Sequence, residues 1–289
     1  MGKSKNWLII VLTSTLFLYL ISMLLPILWT FLTSLKSRSD FVENVFGLPL
    51  EWKFDNYLTV VDYFYVDVPD GGAIKRVFIE EMLLNSIVYA VGCAFVNVMV
   101  TLMAGYTVAK YSSWNISKFL VSFALVAIAL PIIGSLPSEL QISKALGLHN
   151  HIYGMWIMKA NFLNVYFMVF ISFFKRIPVS YEEAAKLDGA SNFCVFRRIH
   201  FPMVINTFLT VFIIKFVEFW NDYQTPLLFM PSIPTLSLGL YYYNFSPIGE
   251  LSSVPLKLAG ATTVFLPILL VFVVFSKRLM GSVVIGGLK

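Results

Sequence analysis

Charge is scarce in this chain. Charged residues make up 13% of its 289 positions, with only 3 histidines and 2 cysteines. Each shortage removes a class of explanation. Cys93 and Cys194 are about a hundred residues apart, far outside the spacing of a metal knuckle or a disulfide framework. His149 and His151 stand two apart in a predicted loop and His200 is distant, so they do not assemble the titratable cluster that a membrane enzyme needs. Hydrophobic residues reach 58% and mean hydropathy is +0.79, which is more apolar surface than a soluble domain can bury. A soluble enzyme, a disordered chain and a secreted disulfide scaffold are all excluded. Neither an internal repeat nor a low-complexity tract is present.

What the chain has instead is long runs without charge: Asn6–Leu35 is 30 residues, Met82–Ala109 is 28, Phe119–Ser138 is 20 and Leu258–Ser276 is 19. About 20 apolar residues cross a bilayer as a helix, whereas the strands of a lipid-facing barrel alternate. The pattern predicts an all-α polytopic membrane protein with six transmembrane helices. They are roughly Trp7–Thr33, Met82–Val108, Phe119–Pro137, Ile152–Phe174, Met203–Met230 and Ala259–Ser276. Lys3 and Lys5 before the first run look like the start of a signal peptide, but the run is too long and lacks a small-residue cleavage site, so a retained helix is expected.

The expected organisation is a first helix at 1–33, an extracytoplasmic loop at 34–81, a core at 82–276 carrying the other five spans, and a tail at 277–289. With the N-terminus inside, the inner pieces hold twelve lysines and arginines and the outer pieces seven, five of them in the long first loop beside nine acidic residues. The positive-inside rule therefore puts both termini in the cytoplasm. Orientation accounts for the net charge of +5, and a role with nucleic acid loses its main support.

One cytoplasmic loop, 177–202, stands out. Pro178 marks a boundary, Ser180 and Glu183 have the spacing of a capping box, and good helix formers run to Leu187 before Gly189, which can supply a left-handed turn. A second short helix is predicted from Asn192 to about His200, before Pro202, with Phe193, Phe196 and Ile199 on one face. Small Ala184 and Ala185 beside the charge of Glu183 suit insertion into another protein. An amphipathic helix on the lipid interface is the alternative.

Glu183-Ala184-Ala185, Gly189 six residues after that Glu, Ile199 ten further on and Pro202 three later resemble the EAA loop of ATP-binding-cassette importer permeases. Phe201 departs, standing where that family usually has Leu. Trp220-Asn221-Asp222-Tyr223, Pro226-Leu227, Pro234 through Leu240 and the tail ending Gly286-Gly287-Leu288-Lys289 look like the carbohydrate permeases of the maltose type, MalG-like. This resemblance, from the second helix to the last residue, implies the type I importer permease fold (MetI-like) and a permease subunit for a carbohydrate, with oligosaccharide as the expected cargo. It implies a second, MalF-like permease, two copies of a cytoplasmic ATPase, an extracytoplasmic solute-binding protein and a setting in membrane lipid. In that family the loop is a coupling helix, giving Glu183 a basic partner on the ATPase. Ala184, Ala185 and Leu187, with Asp188 beside them, would sit in its cleft, and Gly189 would set the turn. Gly286, Gly287 and Lys289 would touch the ATPase pair. No cofactor is expected on this chain, because ATP and Mg belong to the partner ATPase. Gly2-Lys3-Ser4 has no room upstream for the glycine of a phosphate-binding loop.

Within the spans, Lys215 falls near the bilayer midplane, where a charge must be paired or wet. Glu218 at i+3 is its expected partner. Lys159 is expected to snorkel outward. Asn85, Tyr89, Asn97, Trp220, Asn221 and Tyr223, with Lys215 and Glu218, are candidates for lining a sugar path, against the plainer role of bonding between helices. Tyr241, Tyr242, Tyr243 and Asn244 are candidates for contact with the binding protein, against an interfacial aromatic belt. Two alternatives stand beside this reading: the same importer class carrying a glycerol-phosphate-like or other small solute, and a proton-coupled secondary transporter using Lys215, Glu218 and Asp222. The latter explains neither the loop nor the tail.

Overall fold

Where backbone groups have no water to bond, a run of uncharged residues satisfies them by coiling into helix. Among the described residues, four helices are long and apolar enough to cross a membrane: Ile9–Ser34, Ile79–Lys110, Asn192–Trp220 and Val254–Val274. The computed structural model describes residues 2–130, 134–245 and 253–285. In chain order its elements are α1 Gly2–Ser34, α2 Arg38–Glu43, α3 Asp55–Tyr63, β1 Tyr65–Asp70, β2 Ala73–Phe78, α4 Ile79–Lys110, α5 Asn115–Ala129, α6 Leu136–Ala145, α7 Ile152–Met158, α8 Val165–Lys175, α9 Ser180–Leu187, α10 Asn192–Val195, a π-helical turn Phe196–His200, α11 Phe201–Trp220, α12 Gln224–Phe229, α13 Leu236–Asn244 and α14 Val254–Ile285.

The chain clusters as two compact units. One joins the N-terminal segment through Val66 to Gly239–Pro267, and the other joins Asp67–Leu238 to the part from Ile268 onward. In the first unit, the turn after α1 is tied by Asn56, whose Nδ2 donates to the carbonyls of Ser34 at 2.7 Å and Lys36 at 2.9 Å. Buried Lys36 donates to the carbonyl of Asn44.

The second unit is organised around α4. Its Val98 and Leu102 pack with Phe170 and Phe174 of α8, Phe196 of the π turn, and Val204, Phe208 and Val211 of α11. Its Val108 joins Ala124 of α5 and Phe167 and Ile171 of α8 in a second cluster. Gly105 lets α4 and α8 approach closely, since a Cβ there would lie 2.8 Å from Cβ of Phe170 and 3.3 Å from the backbone nitrogen of Ile171. Glu80 and Glu81 in the first turn of α4 and Lys110 in its last complement the helix dipole.

Several expectations are corrected. The all-α reading misses the two-stranded sheet of β1 and β2. Gly71 and Gly72 connect them at φ 56° and 97°, the paired positive angles that a tight two-residue hairpin requires. Val66, Val68 and Val77 are buried while Arg76 pairs with Asp67 at 3.0 Å. The third span begins earlier than expected and its helix stops at Ala129, because Leu130, which precedes a proline, takes an extended conformation. The fifth stops at Trp220 instead of about Met230. There Asn221 Nδ2 turns back to the carbonyl of Val217 at 2.9 Å, and Asp222 Oδ1 accepts from the amide of Thr225 at 3.0 Å, restarting the chain as α12. The sixth continues as helix to Ile285.

The fourth span is broken. α7 ends at Met158 and α8 begins at Val165, so the backbone from Lys159 to Asn164 is irregular. Its carbonyls are met by α4. Asn97 Nδ2 donates to Lys159 O at 2.9 Å and Asn161 O at 3.1 Å, and Thr101 Oγ1 donates to Asn161 O at 3.3 Å. Lys159 Nζ donates to Thr225 Oγ1 at 3.3 Å. Irregular backbone at membrane depth is tolerated only when protein satisfies it, and Asn97 does so here. Asn97→Leu should therefore lower stability by about 1 kcal/mol or more, the cost of removing its hydrogen bonds to two partly buried backbone carbonyls, read as a lower thermal midpoint in detergent. Thr107→Val, which removes a bond only to its own helix at Met103 O, should leave the midpoint unchanged, and equal midpoints for both variants would refute the clasp.

Candidate functional site

The segment after α8 folds as a short helix closed at both ends by different means. The expected capping box does not form. Val179, in helical conformation, occupies the cap position without a side-chain bond, and the first turn is closed by Glu182 N and Glu183 N donating to Val179 O at 2.9 and 3.0 Å. The helix begins a residue earlier than Ser180 could cap it. At the other end Gly189 sits at φ 80°. Ala190 N donates to Ala185 O at 2.9 Å and Gly189 N to Lys186 O at 3.0 Å, the paired bonds of a Schellman motif.

This end places chemistry on the outside of α9. Glu183, Ala184, Asp188 and Gly189 are exposed and Ala185 is half-buried. Leu187 is 90% exposed, and Val179 and Phe193 are 67% and 69% exposed. Bare apolar side chains beside a carboxylate make a surface that gains by being covered.

The inward face of α9 was missed by sequence reasoning. Glu182 Oε1 meets Lys110 Nζ of α4 at 2.9 Å and Lys186 Nζ at 2.6 Å, while its Oε2 lies 3.8 Å from His200 Nε2. Burial opposes the charge of Glu182, and the hydrogen bonds from Lys186 and Lys110 overcome it, holding the carboxyl below the usual carboxylate range. Lys110 also donates to Asn192 Oδ1 at 3.0 Å and Tyr106 Oη at 3.4 Å. The Glu182–Lys186 pair has the i, i+4 spacing of a helical ion pair and was legible. Lys110 was not, because nothing local links a helix end to a glutamate in a later loop.

The predicted second short helix is corrected too. α10, the π turn and α11 run on without a break. Phe201 N donates to Phe196 O, one residue beyond the α-helical partner, and this wider turn accommodates Pro202 at the start of α11. Val195, Phe196 and His200 are buried, while Phe193, expected on the same side as Phe196, is exposed.

The remaining candidates fall into different surroundings. Tyr89 is fully buried, its hydroxyl donating to Asp222 Oδ2 at 2.9 Å. Asn85 Nδ2 donates to Pro234 O at 3.0 Å. Asn97 is the clasp of the broken span. Lys215 pairs with Glu218 at 2.8 Å as expected, with Lys215 Nζ 5.7 Å from the centre of the Tyr166 ring. Trp220 is buried, its ring tilted against that of Phe216 at 5.6 Å, and Asn221 and Tyr223 are exposed. Tyr241, Tyr242, Tyr243 and Asn244 lie in helix α13. Tyr243 points inward, its ring 5.3 Å from that of Phe64 and its hydroxyl donating to Leu256 O at 3.3 Å, which leaves Tyr242 as the exposed tyrosine of the three. Gly286, Gly287 and Lys289 lie outside the described residues. Among the described residues no group of histidine, cysteine and carboxylate is arranged to hold a metal ion.

Comparison with known proteins agrees with this geometry. The chain is 26% identical over 272 residues to the diacetylchitobiose uptake system permease protein NgcG of Streptomyces coelicolor, covering 93% of this chain and 85% of that protein. It is 27% identical over 274 residues to the trehalose transport system permease protein SugB of Mycobacterium tuberculosis, covering 92% of each. Its fold matches a chain in the crystal structure of a bacterial ABC transporter involved in the import of the acidic polysaccharide alginate. The TM-score is 0.78 at 19% identity, over 96% of this chain and 98% of that one. Residues 101–283, well over half of the chain, match the profile described as binding-protein-dependent transport system inner membrane component, and the chain belongs to that family.

Proposed function

We propose that this chain is one of two permease subunits of an ATP-driven carbohydrate importer, with an oligosaccharide as cargo. The observation that carries the reading is α9, a fully closed helix whose outer face offers Glu183 and Leu187 and whose inner face is bonded to the bundle. Relatives named for diacetylchitobiose and trehalose transport support a sugar as the cargo. Six crossings are assigned to α1, α4, α5, α7 with α8, α10 with α11, and α14, with both termini and α9 in the cytoplasm. The core is 82–276, after an extracytoplasmic loop at 34–81, and the tail is 277–289. ATP and Mg are bound by two copies of a separate ATPase. A MalF-like subunit completes the path, and a solute-binding protein delivers the cargo, with exposed Tyr242 and half-buried Asn244 as its contacts.

Glu183, Ala184, Ala185, Leu187 and Asp188 form the docking face, with Gly189 fixing its end. Inside the membrane, Asn85, Tyr89 and Asn97 spend their polar atoms on other protein groups. The path role is assigned to Glu218, Asn221 and Tyr223, which are exposed, with Lys215 as the partner of Glu218, and not to buried Trp220. Asp222 accepts from Tyr89 and from the amide of Thr225, a structural commitment that argues against a proton-carrying carboxylate there.

The decisive test is uptake into liposomes containing the assembled complex, over a panel of di- and oligosaccharides. Uptake is expected only with ATP, the ATPase and the binding protein. Uptake by this chain alone under a proton gradient would overturn the importer reading. Glu183→Lys should weaken ATPase association at least about tenfold, since reversing one desolvated charge exceeds the 1.4 kcal/mol that a factor of ten represents, while membrane insertion stays normal. Co-purification of the ATPase at the unmodified level would remove Glu183 from the docking face. For the intramembrane pair, the double variant Lys215→Met, Glu218→Gln should be at least about 1 kcal/mol more stable than Lys215→Met alone, because the single change strands a carboxylate. Equal thermal midpoints would count against the pair.

A further inference from the structure

The helix α9 is joined to the bundle by two short backbone links, Arg176–Val179 and Asp188–Ser191. Backbone links bend, so a displacement applied to the outer face of α9 reaches the bundle only through side chains that tie its inner face down. Of the carboxylates on or just after α9, Glu182 is the one drawn inward, and its side chain is 17% exposed. Lys186 is its partner on α9 itself at 2.6 Å; its partner outside α9, Lys110, is 12% exposed and ends the helix around which the second unit is packed. The Lys110 ammonium has three donors and three partners on three elements: Glu182 of α9 at 2.9 Å, Asn192 of α10 at 3.0 Å and Tyr106 of α4 at 3.4 Å. A saturated node of this kind resists shear better than a lone ion pair.

A second partner waits beside the first. His200 is 7% exposed, and neither of its ring nitrogens has a hydrogen-bond partner. Its ring lies 5.2 Å from that of Tyr106 and 6.2 Å from that of Phe174. Nε2 is 3.8 Å from Glu182 Oε2, so a shift of about 1 Å completes a bond of ordinary length. The cleft beneath α9, about 540 Å³ and lined by Tyr106, Lys110, Phe174, Pro178, Glu182 and His200, leaves room for that shift. His200 ends the π turn that leads into α11, the helix carrying Lys215, Glu218 and Trp220.

We propose that Glu182 is the positioning residue that carries movement of α9 into the membrane helices, to α4 through Lys110 and to α11 through His200. This division of labour rests on the importer reading: Glu183 faces the motor, and Glu182 faces the channel.

The test uses the assembled transporter in liposomes, with Cys194→Ser and spin labels on Tyr181→Cys of α9 and Ser112→Cys just beyond α4. The label separation is measured without nucleotide and after trapping with ATP and vanadate. With Glu182 present, the two labels should move as one body and hold their separation in both states. In Glu182→Gln the ATPase should still co-purify, the separation should differ between the two states, and ATP consumed per sugar imported should rise at least about tenfold, the loss expected for one charge-assisted bond. Lys110→Met should do the same, the double variant should be no worse than either single, and Lys110→Arg, which keeps the charge, should retain most of the coupling. An unchanged separation and an unchanged ATP-to-sugar ratio in Glu182→Gln would overturn the proposal. So would loss of ATPase association with normal coupling in the complexes that remain, since Glu182 would then belong to the docking face. Failure of the importer reading itself is distinguishable, because the unmodified chain would then bring down no ATPase.

Discussion

Backbone that leaves the helical path inside an apolar medium must find its hydrogen-bond partners within the protein. That requirement explains the placement of polar residues in the second unit better than any single contact does. Asn97 and Thr101 of α4 meet the carbonyls exposed where α7 gives way to α8. Ser86 of the same helix accepts from the amide of Leu236 at 2.7 Å where α13 begins, and Asp222 caps the restart of the chain after Trp220. The face of α4 that is polar is the face opposite which other segments bend, and one of its glycines, Gly105, lies where α8 approaches closely.

The logic reverses at α9. There the polar atoms of the backbone are already satisfied by the helix and its Schellman closure, and the exposed groups are apolar side chains such as Leu187. One end of the unit spends polar side chains to hold irregular backbone within apolar surroundings, and the other offers apolar side chains from a regular helix. The two are joined by α4, whose buried Tyr89 bonds to Asp222 and whose last residue bonds to Glu182. Position along this one helix therefore links the turn after Trp220 to the short helix outside.

Much of this was legible in the sequence, for reasons that differ by element. The long spans showed as runs without charge, and Gly189 showed because only glycine takes a left-handed turn without strain. The hairpin was also within reach, as Gly71-Gly72 between Tyr65–Asp70 and Ala73–Phe78 carries the alternation of paired strands, but the tyrosines and tryptophan of that loop drew attention from it. The broken span had a signal in Asn161 and Asn164, residues that favour local bonds over helix, hidden within an otherwise apolar stretch. The path candidates were less legible, because an asparagine that lines a cavity and one that clasps a bend have the same composition. Lys110 with Glu182 left no trace at all, since pairing across such a separation is decided by how α4, α8 and α9 pack and by nothing adjacent in the chain.

The closed geometry of α9 has a kinetic consequence. Gly189 at φ 80° has open space around its missing side chain, and the reversal it makes is held by two main-chain bonds of its own. If α9 docks as proposed, it is finished before any encounter, so little conformational entropy remains to be lost when another surface meets it. Its association should be governed by collision and orientation, as between two rigid bodies, with no folding step to slow it.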